Sequence, residues 1–132
     1  MSTRSIGIGI LVSSVVASAG TVLAHHSFAA QYDRDKPIML KGTVTKVEWA
    51  NPHIYFYVDV KNTEGKVENW AIEGSAPNTL YRSGWRKDSL QVGNEVTVEG
   101  SLAKDGSRLA NMRAVVLADG RRVLGGSSGG DR

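Results

Sequence analysis

The stretch HIYFYVDV, residues 53–60, decides the reading of the fold. It alternates strictly, so Ile54, Phe56, Val58 and Val60 share one face while His53, Tyr55, Tyr57 and Asp59 share the other. A period of two marks a half-buried strand, because successive side chains leave a pleated backbone on opposite sides. The aliphatic face is expected in the core and the tyrosine face outside. Just downstream, residues 63–66 (TEGK) suit a tight turn, and KVENWAIE (66–73) returns as a second strand with Trp70 and Ile72 inward.

Upstream, IMLKGTVTKVEW (38–49) is rich in β formers, but its apolar parity changes from Leu40 and Val44 to Val47 and Trp49. A bulge near Thr45 and Lys46 would produce that change. After the hairpin, Ser75-Ala76-Pro77 signals a short helix through Ser83, with Gly84 placed to end it and Leu80 and Trp85 placed to plug one end of the fold. NEVTVEGSLA (94–103) alternates again, Lys104 to Ser107 turns, and a fifth strand is expected from Leu109 to Leu117. Asp119-Gly120-Arg121 then turns into a brief RRVL.

Three strands, a short helix and two more strands form the order of an OB-like barrel, in which a bent first strand serves both halves of the sheet. The expected class is therefore all-β with one short helix, a small five-stranded antiparallel OB-like barrel; an open sandwich is the competing topology. The segmentation is a secretory signal peptide at 1–24, an irregular lead-in at 25–37, the OB-like domain at 38–124 and a Gly/Ser tail at 125–132.

The signal assignment rests on residues 2–24, STRSIGIGILVSSVVASAGTVLA, where Arg4 is the only charge and the apolar run is short and rich in Gly and Ser. The alternative is an uncleaved membrane anchor. Small residues fit cleavage after Ala19 or after Ala24, and the second cut makes His25 the first residue of the mature chain. The expected location is periplasmic or secreted, with no membrane association after signal removal. With no cysteine in 132 residues, disulfides, thiolate metal sites and thiol catalysis are excluded together. The net charge of +3 is spread without a basic block, which argues against a nucleic-acid partner.

All three histidines lie at two places, His25 and His26 at the expected mature terminus and His53 at the mouth of a strand. A terminal His25 offers both its α-amine and its imidazole to one ion, and His53 would add a third nitrogen. That arrangement resembles the histidine-brace copper proteins, and nitrogen ligands in a planar set favour Cu(II). Cleavage after Leu23 would instead give Ala24-His25-His26, another square-planar Cu(II) motif. The plainer alternative leaves His25 and His26 as polar residues of a loose end and His53 as a partner for turn carbonyls.

Other chemistry is thin. No GxSxG elbow, HExxH pair or phosphate-binding glycine loop occurs, so the expectation is a binding protein rather than an enzyme. Glu48 and Glu73 are candidates for an acid pair, but outward solvated positions are the simpler expectation for both. Tyr55 and Tyr57 offer an aromatic face to a saccharide or a periplasmic partner protein, in competition with ordinary cross-strand packing. Arg82, Arg86 and Lys87 gather near the helix end, where an anion or solvent would meet them.

The start AHHSFAAQYD, the stretch KGTVTKVEWANPHIYFYVDV and the later SLQVGNEVTVEG together resemble a family of small secreted bacterial proteins catalogued as a domain of unknown function. The HHSF start and the Asn51-Pro52-His53 element are its specific parts. The resemblance implies a secreted single-domain protein and no particular activity.

Overall fold

The alternation of residues 53–60 resolves as expected: Ile54, Phe56 and Val58 are wholly buried, while Tyr55 and Tyr57 are half-buried on the opposite face. The structure, a computed structural model, describes residues 28–126. A helical turn at 28–31 leads into β1 (Tyr32–Glu48), followed by β2 (Tyr55–Lys61), β3 (Val67–Glu73), α1 (Pro77–Arg82), β4 (Glu95–Ala103), β5 (Leu109–Val116) and β6 (Arg122–Leu124). Among the described residues no helix is long and apolar enough to cross a membrane.

The sheet order is β3-β2-β1-β4-β5-β6, and a further pairing joins β3 to β5. The first five strands therefore pair in a ring, the arrangement expected of an OB-like fold. Every pairing is antiparallel except β3–β5, which is parallel. A sixth strand, the RRVL segment, adds to the outside of β5.

β1 makes the ring possible. Its first part pairs with β4 from Tyr32 to Thr43, and its last part pairs with β2 from Thr43 to Glu48. The register shift between Val44 and Lys46 is the bulge that the parity change requires, and it lets Val44 and then Val47 face the same core. At the junction, Gly42 has no room for a side chain: a Cβ there would lie 2.3 Å from the Asp59 carbonyl oxygen.

The expected irregular lead-in differs from what the chain does. β1 begins at Tyr32, six residues before the sequence reading starts it, and residues 34–36 near its start leave the β4 ladder. Asp33 pairs with Leu102 and Pro37 with Ser101, so four steps along β1 match one along β4 and residues 34–36 bulge outward. The charged run Asp33 to Lys36 and the proline read as a loop because they occupy this bulge, while the pairing on either side is intact.

The helix begins with Pro77 in its first turn and ends before Gly84, whose φ of 94° suits a residue without a Cβ. Leu80 and Trp85 are both fully buried and close one end of the core. The Trp85 indole donates to the Leu124 carbonyl at 2.8 Å, which fastens β6 to this plug. Trp70 is half-buried against the core rather than inside it.

Gly42→Ala is expected to lower stability by about 1–3 kcal/mol, since a methyl group there must displace backbone. Urea unfolding measures it; unchanged stability would mean that β1 and β2 do not approach as closely as described.

Candidate functional site

Where β3 ends, two registers fix the position of one carboxylate. The β2–β3 hairpin sets Glu73 opposite Tyr55, and the parallel β3–β5 pairing sets it beside Asn111. Glu73 is only 5% exposed. An unpaired carboxylate so placed would cost several kcal/mol, so its partners carry the local structure.

Those partners come from opposite ends of the ring. The Tyr32 hydroxyl, at the start of β1, donates to Glu73 Oε2. His53 Nδ1, just before β2, lies 2.5 Å from Glu73 Oε1. Asn111 adjoins Tyr32 from the β5 side. Burial first, then the adjoining Glu73, pushes the Tyr32 phenol well above the ordinary tyrosine range, and the same two causes in the same order raise Tyr55.

His53 is held by its neighbours in the chain as well. It follows a cis Asn51–Pro52 bond, and Ile54 exchanges backbone hydrogen bonds with Ser75 and Gly74 at 3.1 and 3.0 Å. Nδ1 faces the carboxylate, which leaves Nε2 as the ring nitrogen pointing away from Glu73. No described residue bonds that nitrogen, and the side chain is 39% exposed. The site thus offers one oriented imidazole nitrogen beside the point where the N-terminal segment joins the fold.

That segment is anchored by packing. Phe28 is buried with Tyr32 and Ala103 and meets Leu109, which docks the segment on β4 and β5. The rings of Phe28 and Tyr32 are 5.4 Å apart. His25 and His26 lie outside the described residues. Among the described residues, no three His, Asp or Glu side chains gather in a metal-holding group.

The remaining candidates are dispersed. Tyr57 donates to Glu48 Oε2 at 3.3 Å and carries the Lys46 ammonium 5.2 Å from its ring centroid, so it belongs to a surface cluster apart from His53. Glu48 pairs with Lys46 at 2.5 Å and does not meet Glu73. Arg86 lies over the Tyr81 ring, which in turn meets Trp49 edge-on. The sequence reading placed Glu73 outward in solvent, and here it is corrected: Tyr32 covers the end of β3, a cover invisible while residues 25–37 read as irregular. A signal did exist. Counting back from the turn pairs Lys61 with Val67, which sets Tyr55 against Glu73 and brings the carboxylate next to His53.

Because the fold keeps Tyr32 neutral beyond the ordinary value of 10.0, its contribution to stability is complete below that pH and is lost as pH rises above it. Tyr32→Phe is expected to lower stability at neutral pH by about 1–3 kcal/mol, since Glu73 loses a donor. The same variant is expected to lose less stability than wild type between about pH 9 and about pH 11 in urea unfolding. Parallel alkaline limbs would show that Tyr32 is not held in this way.

No curated protein matches the chain. A family model does match, over residues 12–112, and it covers every feature just described from Phe28 to Asn111. The chain belongs to DUF6152, a family of unknown function, as its HHSF start and Asn51-Pro52-His53 element led us to expect.

Proposed function

We propose that this is an exported OB-like protein that binds Cu(II) through the processed N-terminal His25, with His53 as the second imidazole and His26 as a neighbouring donor. One observation carries the reading: the buried Glu73 carboxylate holds both the imidazole of His53 and the tyrosine that roots the N-terminal segment. A carboxylate on the far nitrogen of a histidine fixes its tautomer and makes the other nitrogen a better ligand. His53 is set up for that role and His25 has a short path to it.

The path is short. Tyr32 is fixed at the site, seven residue steps from His25, and the helical turn at 28–31 takes up four of them, which leaves three steps, a reach of roughly 10 Å when extended. Docking of Phe28 shortens the free segment further, which reduces the entropy lost when the ends meet. The α-amine and Nδ1 of His25 with Nε2 of His53 make a three-nitrogen set suited to Cu(II). Tyr55 and Tyr57 as a saccharide or protein face form the second reading, and it is the weaker one because Tyr57 is engaged by Lys46 and Glu48.

Calorimetric titration of protein beginning at His25 is expected to show one tightly bound Cu(II). Adding a single residue before His25, or changing His53→Ala, is expected to weaken it strongly, and Glu73→Gln by about 10–100-fold through its hold on His53. Affinity indifferent to the added residue, or an exported protein whose mass shows a start at Gly20, would end the proposal.

A further inference from the structure

The bulge in β1 opens a second feature on the outer side of the Glu73 cluster. Where residues 34–36 lift away from β4, a cavity of about 240 Å³ is left between β1, β4 and β5. Two guanidinium side chains border it, Arg34 from the bulge and Arg113 from β5. Ser101 and Asn111 add polar groups, and Phe28 and Pro37 provide apolar wall.

Charge around the cavity is unbalanced. Arg34 has no salt-bridge partner among the described residues; its guanidinium lies 5.0 Å from the Phe28 ring centroid, a stacking that orders it without neutralising it. Arg113 reaches Glu99 at 3.2 Å, but Arg122 already takes both oxygens of that carboxylate, at 3.1 and 2.6 Å. One acid therefore serves two cations, and Arg113 keeps much of its capacity. Asp33 and Asp35 flank Arg34 in the chain; Asp33 turns to cap the Asp35 N–H, and neither acid lines the cavity.

We propose that this cavity is a binding site for a small oxyanion, a carboxylate or phosphate of metabolite size, gripped between Arg34 and Arg113 and seated on Ser101 and Asn111. Guanidinium groups suit planar and tetrahedral oxyanions because they donate in paired, parallel bonds. The volume suits a small molecule. The site is independent of copper binding, although Asn111 joins it to the Glu73 cluster through Tyr32.

The test is titration of the metal-free processed protein, at constant ionic strength, with succinate and separately with inorganic phosphate. Saturable one-to-one binding is expected, and Arg34→Gln and Arg113→Gln should each weaken it about tenfold or more. Lys61→Gln, an exposed cation at the end of β2 that does not line the cavity, should leave it unchanged. Tighter succinate assigns the site to carboxylates, and tighter phosphate assigns it to phosphoryl groups. Among the described residues Arg34 carries no ion pair, so the Arg34→Gln result stands even if Arg113→Gln disturbs the sheet. Failure of both probes to saturate, or an equal loss in Lys61→Gln, would overturn the proposal.

Discussion

A buried carboxylate governs this structure. Glu73 sits where the parallel pairing of β3 and β5 closes the ring, and there it gathers Tyr32 from the first strand and His53 from the approach to the second. Desolvating a carboxylate is unfavourable, and what offsets it is the set of donors that only the closed ring brings together. Ring closure and site assembly are thus the same event. A strand order that left β3 and β5 apart would separate Glu73 from Asn111 and would expose the acid to water.

The long first strand links that constraint to the N-terminal segment. Its early residues pair with β4 and its late residues with β2, so whatever fixes its start also fixes the edge of the site. Phe28 and Tyr32 act at that start by packing on Ala103 and Leu109. The bulge between Asp33 and Pro37 has a separate consequence, since it allows pairing to resume while leaving a gap bordered by two arginines. One irregular stretch therefore supports both the anchoring of the terminus and the oxyanion cavity.

Much of the fold was legible because it rests on local signals. Alternation in residues 53–60, the parity change at Thr45, Pro77 at the helix start and Gly84 at its end all correspond to elements of the structure. The start of β1 was not legible, because DRDKP has the composition of a loop and its strand character depends on pairing with β4, a contact distant in sequence. Glu73 was misplaced for the same reason. Strand parity alone does not show which side a later segment covers, and the cover here is the very segment read as irregular. His53 was found from its type and position, whereas the carboxylate that orients it required the hairpin register.

The central claim is that His53, oriented by Glu73, shares a metal ion with the N-terminal histidine. X-ray absorption at the copper edge, on protein beginning at His25 and loaded with one equivalent of Cu(II), tests it most directly by counting imidazole ligands. The account requires two imidazoles in the wild-type protein and one fewer in His53→Ala. The same imidazole count in both would contradict it, because His53 would then stand apart from the metal.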